Sequence, residues 1–228
     1  DWWKQIDEWK AKKCLDFDRT SGVIKPQQVM EAVYRITKGQ AYVASDVGQH
    51  QMFAALHYPF DLPRRWINSG GAGTMGYGLG AAIGAKMACK DKVVINIAGD
   101  GCFRMNMNEI ATATRYHIPV VQVIINNHVL GMVRQWQDLF YGKRFSNTVL
   151  NDAVDFVKLA EAMGAKAYRV VKKEDFEPVL REAIAINEPV VIDCQVDCDD
   201  KVYPMVSPGA AIKDTFDASD LALEKNKK

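Results

Sequence analysis

No apolar run in this 228-residue chain approaches the roughly 20 residues that a membrane-spanning helix requires; Val93-Val94-Ile95 meets Asn96 at once. The start, Asp1-Trp2-Trp3-Lys4-Gln5, has neither the basic segment nor the apolar core of a signal peptide. Net charge is almost absent too. Lys and Arg number 29 against 28 Asp and Glu, so the balance of +1 exerts no pull on nucleic acid or an anionic membrane. The five cysteines are scattered and odd in number, which does not make a disulfide framework. Cys194 and Cys198 form a lone C-x-x-x-C without a second pair or a nearby histidine, so reduced thiols in a cytoplasmic setting are expected rather than a metal site. Internal repeats and low-complexity segments are also missing. What remains, 48% hydrophobic and 25% charged residues, is the composition of an ordinary folded chain.

Residues 2–15 space Trp2, Trp3, Ile6 and Trp9 as an amphipathic helix whose apolar stripe has no partner nearby. Residues 1–20 are therefore expected to be the terminal helix of a preceding, absent domain, residues 21–210 the main domain, and residues 211–228 a C-terminal tail, frayed over 221–228. Pro26 opens a helix reaching about Thr37. Beyond it, β-rich runs at 41–44, 92–97, 120–125, 167–171 and 190–193 alternate with helical stretches at 51–56, 77–88, 106–116, 154–163 and 176–186. The Val/Ile runs show little alternation, as in strands buried on both faces. This predicts an α/β fold: a doubly wound, mostly parallel sheet with helices on both faces. Ligands of such sheets sit beyond the strand C-termini.

Three strand ends carry unusual residues: Ser45-Asp46-Val47-Gly48-Gln49-His50, Gly99-Asp100-Gly101 and Asn126-Asn127-His128. Between the first two, residues 69–85 hold seven of the 16 glycines, so the backbone there approaches something closely. Gly71-Ala72-Gly73-Thr74-Met75-Gly76 formally matches the dinucleotide pattern G-x-G-x-x-G, yet the feeding segment at 64–69 is short and polar-flanked. Close helix packing is the plainer reading of those glycines, and a dinucleotide loop in a non-catalytic binding domain is the alternative. Asp100 and Asn127 stand 27 residues apart, the length of one β-helix-β crossover. Taken singly, Asp100 reads as a helix N-cap and Asn127 as a turn former. On adjacent parallel strands they place a carboxylate and an amide oxygen side by side, which suits Mg²⁺.

G-D-G followed at this distance by N-N resembles the motif of thiamine-diphosphate-dependent enzymes. Asp46-Val47-Gly48-Gln49-His50-Gln51-Met52, Pro63-Arg64-Arg65-Trp66-Ile67-Asn68-Ser69-Gly70-Gly71, Gly131-Met132-Val133-Arg134-Gln135-Trp136-Gln137 and Pro204-Met205-Val206-Ser207-Pro208 narrow the resemblance to the acetohydroxyacid (acetolactate) synthase large-subunit family, from about Lys25 to Ala211. Pyruvate oxidases and glyoxylate carboligases share the first motif and are the alternatives within the cofactor class.

By this resemblance Asp100, Asn127 and the Val129 carbonyl ligate Mg²⁺. Val47, Gly48, Gln49 and His50 hold the cofactor diphosphate, with Gly99, Gly101 and Cys102 against the same phosphates. Gly73 accepts from the aminopyrimidine and Met75 wedges between the two rings, while Leu130, Gly131, Met132 and Val133 complete the cofactor site. Met132, Val133 and Trp136 wall the pocket for a 2-oxo acid, pyruvate or 2-oxobutanoate. His57, His117 and His128 match nothing and read as structural. No catalytic residue is expected in this chain, because the activating glutamate belongs to an absent N-terminal domain and most of the FAD site to an absent middle domain. The intact enzyme would condense two 2-oxo acids to acetohydroxyacids for branched-chain amino-acid synthesis, as a cytoplasmic homodimer with a possible regulatory subunit; the chain alone is expected to be inactive.

Overall fold

The computed structural model describes residues 1–150 and 153–225. Asp1–Asp18 with Lys201–Lys228 make one compact unit, and Arg19–Asp200 make another. The chain opens on α1 (Trp2–Ala11), which buries none of its residues; Trp2 meets Trp9 edge-on at 5.6 Å within it.

In the larger unit, α2 (Pro26–Thr37) starts as its proline implies, in the first turn where a missing N–H costs nothing. Gln28 Oε1 reaches back to accept from the Lys25 N–H at 3.2 Å. There follow β1 (Tyr42–Ser45), α3 (Gln49–His57), β2 (Trp66–Ile67), α4 (Tyr77–Ala88) and β3 (Val94–Gly99). Then come α5 (Asp100–Asn106), α6 (Glu109–Arg115), β4 (Val121–Asn126), α7 (Gly131–Phe140) and α8 (Phe156–Ala162), and finally β5 (Lys166–Val170), α9 (Lys173–Ile186) and β6 (Val190–Gln195). All six strands run parallel in the order β2-β1-β3-β4-β6-β5, so the expected doubly wound sheet is present.

The interior strands β3, β4 and β6 are the Val/Ile runs, buried on both faces as their lack of alternation implies. Leu79 and Ala82 of α4, Ile110 and Ala113 of α6, and Phe156 and Ala160 of α8 pack with Ala98, Ile124 and Val191 in one core layer. Helices α2, α3 and α9 pack together over the sheet's other face. The helix expected over 106–116 differs from what is found. It is two helices, the first beginning directly on Asp100, with the chain turning at Met107 and Asn108. That break lets Asn106 Nδ2 donate to the Gly76 carbonyl at 2.6 Å.

From β1 the chain crosses to β2 on one side, whereas from β3 it crosses to β4 on the other. The loops after β1 and β3 thus diverge, and a crevice opens between them at the strand C-termini.

In the smaller unit, β7 (Met205–Val206) pairs antiparallel with β8 (Thr215–Phe216). After it runs α10 (Ala218–Lys225), preceded by Asp217, whose Oδ1 accepts from the Ser219 N–H at 2.7 Å. The fraying expected over 221–228 meets a helix as far as Lys225, and residues 226–228 lie outside the described residues. Among the described residues, no helix is long and apolar enough to cross a membrane.

Candidate functional site at the switch point

The turn after β1 passes through Asp46 and Val47 to Gly48, the N-cap of α3. Val47, Gly48, Gln49 and His50 line the cavity at this helix start, a setting suited to an anion. Gln49 and His50 follow, both buried. The Gln49 carboxamide donates to Gln135 Oε1 at 2.6 Å and to the Asp200 carbonyl at 2.9 Å, tying α3 to α7 and to the segment after β6. Gly131 must be glycine for this to hold, since a Cβ there would lie 2.1 Å from Gln49 Oε1. The His50 ring sits under Gly48 and Gly99; a Cβ on either would come within 2.8 Å of it. Burial pulls its pKa down to about 3, a bond to the Asp46 carbonyl opposing weakly, and Nε2 has no hydrogen-bond partner.

Asp100 does not act as the helix cap that its position allows. Gly99 takes the N-cap place of α5, and Asp100 becomes the first helical residue. Its side chain is 1% exposed and both carboxylate oxygens lack a hydrogen-bond partner. Burial pushes its carboxyl up to about 6, while Arg104 and the adjacent N–H groups pull the other way without reaching hydrogen-bond geometry. A buried carboxylate so placed is costly unless something positive completes it.

β4 lies beside β3 with Gly99 opposite Ile125, so Asn126 and Asn127 leave the sheet next to Asp100. Asn127 Oδ1 accepts from the Val129 N–H at 3.1 Å; an amide oxygen has two lone pairs, so one stays available. Val129 bridges to Val149. The bridge's bonds run from the Leu130 N–H to the Thr148 carbonyl at 2.7 Å and from the Leu150 N–H to the His128 carbonyl at 2.9 Å, so neither engages the Val129 carbonyl.

The glycine-rich loop completes the crevice. Gly73 has φ +58 and Gly76 φ +83, both left-handed, and nothing lies within 4 Å of where a Gly73 Cβ would be. The loop is pinned where it enters α4, with Asp46 Oδ1 accepting from the Gly78 N–H at 3.1 Å. Met75 Cε comes within 3.9 Å of where a Gly101 Cβ would stand. The thiol of Cys102 donates to the Val47 carbonyl at 2.9 Å, joining the loops after β1 and β3. Burial pushes that thiol up to about 12, so it remains protonated. The strand before Gly71-Ala72-Gly73 is the two-residue edge strand β2, not the buried strand that a dinucleotide turn requires.

These elements enclose a cavity of about 170 Å³. Val47, Gly48, Gln49, His50, Gly73 and Met75 line it, as do Gly99, Asp100, Gly101 and Cys102, and Asn127, Val129, Leu130, Gly131, Met132 and Val133. Trp136 is placed elsewhere. It lies in an adjoining open groove with Gln137, Tyr141 and Arg144, which Met132 and Val133 also border. Sequence reasoning missed Pro26, Phe53, Ile125, Val196, Asp197 and Asp200 of the cavity wall. For Val196, Asp197 and Asp200 the available signal was the end of β6, a fourth strand terminus, lying beside β4. Val196 extends that pairing, donating to the Asn126 carbonyl at 3.0 Å. All five cysteines are free thiols. Asp197, Cys198 and Asp199 form a mostly exposed acidic cluster.

Fold and site define a doubly wound α/β domain with its ligand cavity at the topological switch point. The family model for the thiamine pyrophosphate enzyme C-terminal TPP binding domain matches residues 46–194, and the chain belongs to that family. It is a thiamine-diphosphate-binding domain. Among curated relatives, it is 59% identical over 214 residues to the acetolactate synthase large subunit of Haemophilus influenzae, covering 93% of this chain and 37% of that protein. It is 50% identical over 219 residues to the acetolactate synthase isozyme 3 large subunit of Escherichia coli, covering 95% and 38%. Its fold is similar to that of a Rhodococcus jostii thiamine diphosphate-dependent 4-hydroxybenzoylformate decarboxylase, with TM-score 0.73 and 25% identity over 79% of this chain and 34% of that one. The chain therefore spans little more than a third of the length of these relatives.

Proposed function

We propose that this chain is the part of an acetolactate synthase large subunit that holds Mg²⁺ and the diphosphate of thiamine diphosphate. The observation that carries the reading is Asp100: a buried carboxylate with neither oxygen paired, sharing one cavity with Asn127 and Val129. A carboxylate, an amide oxygen and a backbone carbonyl on residues lining one cavity fit Mg²⁺, which prefers oxygen ligands and shares its shell with phosphates. Asp100, Asn127 and the Val129 carbonyl would hold the metal, and residues 47–50 with Gly101 would receive the diphosphate at the start of α3.

When bound, the cofactor supplies a thiazolium that stabilises a carbanion, allowing 2-oxo acid decarboxylation and carboligation. The chain's own task is placement and exclusion of water. Gly73, whose N–H is taken by the Gly70 carbonyl, leaves open space for a polar ring edge, and Met75 projects toward Gly101 as an apolar wedge. Met132 and Val133 form an apolar wall between cavity and groove. Among the described residues no glutamate lines the cavity, so we assign the activating glutamate, and the FAD site, to the part of the relatives' length that this chain does not span. The proposal extends to pyruvate and 2-oxobutanoate as substrates, to a cytoplasmic homodimer and to a regulatory subunit.

Thiamine diphosphate titrated calorimetrically into the protein with Mg²⁺ should bind, and EDTA should abolish the heat. Binding equally strong in EDTA would refute the metal assignment. Trp136 lies on the open side of the Met132 and Val133 wall, in edge-to-face contact with Phe140 at 5.4 Å, where a second 2-oxo acid would approach. Trp136→Leu in the full-length enzyme is expected to lower the preference for 2-oxobutanoate over pyruvate by roughly 10-fold, the range of one lost apolar contact. An unchanged product ratio would remove Trp136 from acceptor choice.

A further inference from the structure

A row of buried polar side chains crosses the sheet face beneath α4 and α8, in strands otherwise built of Val and Ile. Asn96 Nδ2 donates to Gln122 Oε1 at 2.7 Å, and farther along Asn126 Nδ2 donates to Asp193 Oδ1 at 2.9 Å. Asp193 is 1% exposed and sits mid-strand on β6, opposite Ile124. Its carboxylate accepts from three donors. Besides Asn126, Gln195 Nε2 reaches Oδ1 at 2.9 Å and Arg169 Nε reaches Oδ2 at 3.1 Å. Arg169 in turn donates to Asp155 Oδ1 at 2.7 Å, and Asp155 caps α8 through the Val157 and Lys158 N–H groups.

At the cavity end these bonds close into a ring. Asn126 Oδ1 accepts from the His128 N–H at 3.3 Å, and His128 Nε2 meets Gln195 Oε1 at 2.9 Å. Gln195 returns to Asp193. The ring thus grips Asn126 and His128, the residues on either side of Asn127, with His128 held at φ +57 in the left-handed region. A single buried anion at the root fixes the turn that presents the Asn127 carboxamide and the Val129 carbonyl.

We infer that Asp193, acting through Asn126 and Gln195, is a positioning residue for the metal-binding turn, setting the direction of the Asn127 and Val129 oxygens without touching the ion. This rests on the Mg²⁺–thiamine diphosphate reading above. Partners that orient metal ligands in this way typically contribute about 10- to 100-fold to metal affinity. The position of Asp193 supports the assignment. Desolvating a carboxylate mid-strand is costly; Arg169 offsets the charge from within the sheet, and the second oxygen is spent on Asn126, where the turn that carries the cavity ligands begins, and on Gln195, which holds His128 beyond it.

The test is the apparent Mg²⁺ dissociation constant of the native full-length protein, measured calorimetrically at saturating thiamine diphosphate. Wild type is compared with Asp193→Ala, Asp193→Asn, Gln195→Ala and, as control, Asp100→Ala, with thermal melting of each. Gln195→Ala should weaken Mg²⁺ roughly 10-fold while thiamine diphosphate affinity at saturating Mg²⁺ and the melting temperature stay near wild type. Asp193→Ala should lose more. Asp193→Asn, which keeps the Oδ1 acceptor for Asn126 and Gln195, should recover most of that loss. Wild-type Mg²⁺ affinity in Gln195→Ala, or losses in Mg²⁺ and thiamine diphosphate affinity that merely track melting, overturns the inference while the Asp100→Ala control leaves the metal reading standing. Wild-type affinity in Asp100→Ala overturns both.

Discussion

Asp100→Asn should weaken Mg²⁺-dependent thiamine diphosphate binding by more than about 100-fold, beyond the range seen when only an orienting partner is lost. The same substitution should make the metal-free protein more stable. Both effects follow from one fact: the carboxylate is buried at the start of α5 with neither oxygen hydrogen-bonded. A carboxylate in that condition opposes folding, and burial pushes its carboxyl up to about 6 as a result. Asparagine has nearly the same shape and no charge to desolvate. Replacing an uncompensated buried charge by a neutral isostere gains about 1–3 kcal/mol. For a chain of this size that corresponds to a rise of roughly 2–4 °C in melting temperature per kcal/mol.

Melting curves in EDTA and in Mg²⁺ with thiamine diphosphate check the two halves separately. Wild type should gain stability on adding the pair, because a ligand that binds only the folded state stabilises it by mass action. Asp100→Asn should start higher and gain nothing. If the variant melts lower than wild type in EDTA, the carboxylate has a structural partner that the geometry does not contain. If it still gains from Mg²⁺, Asp100 is not a ligand. Ser or Ala at the same place removes the ligand equally but also opens a cavity, so the gain in metal-free stability is read on Asn alone.

The strands that could be read directly were β3, β4 and β6, because Val and Ile in unbroken runs have one plausible setting, a sheet covered on both faces. The separation of Asp100 from Asn127 by one crossover was equally legible, since it requires only that sequential parallel strands be neighbours, as β3 and β4 are. The row of Asn96, Gln122, Asn126 and Asp193 was not. Each sits singly among apolar residues and looks like noise in a pattern; its partner is 26 or 67 residues away, and only strand order puts Asp193 next to Asn126. Helix α7 was hidden for a different reason. Its Gly131 start and polar outer face were read as a motif, and the close approach of Gln49 that makes Gly131 necessary is a tertiary contact. The early start of α5 is similar, for no local signal says that Gly99 rather than Asp100 serves as N-cap. Trp136 follows Met132 and Val133 by four and three residues on one helix face and lines the same groove with them, while the cavity itself ends at Met132 and Val133, a division that no local pattern encodes.

His50 should give the protein an acid-sensitive stability that a neutral side chain removes. The imidazole is shut beneath Gly48 and Gly99 at the N-terminal turn of α3, where burial and the positive end of the helix both disfavour a proton. Its pKa falls from the usual 6.5 to about 3, with burial as the largest cause. Because the folded value lies below the unfolded one, the contribution is fully present above pH 6.5 and is lost as pH falls toward 3. In that window the unfolded chain takes up a proton that the folded chain refuses. The slope approaches 1.4 kcal/mol per pH unit below pH 6.5, so between pH 7.5 and 5 roughly 2 kcal/mol should disappear. Asp100 acts in the opposite sense, since its raised carboxyl value favours the folded state as it protonates, and His57, also lowered chiefly by burial, acts in the same sense as His50. The measurement is therefore made on His50→Gln in an Asp100→Asn background, where Asp100 is silent and His57 cancels in the difference. Denaturant melts at half-unit steps from pH 7.5 to 5 should show the His50-containing protein losing stability about 2 kcal/mol faster than the variant. Parallel curves would mean that the folded protein admits a proton at His50, and so that Nε2 is open to water instead of shut into the wall against which an incoming anion would lie.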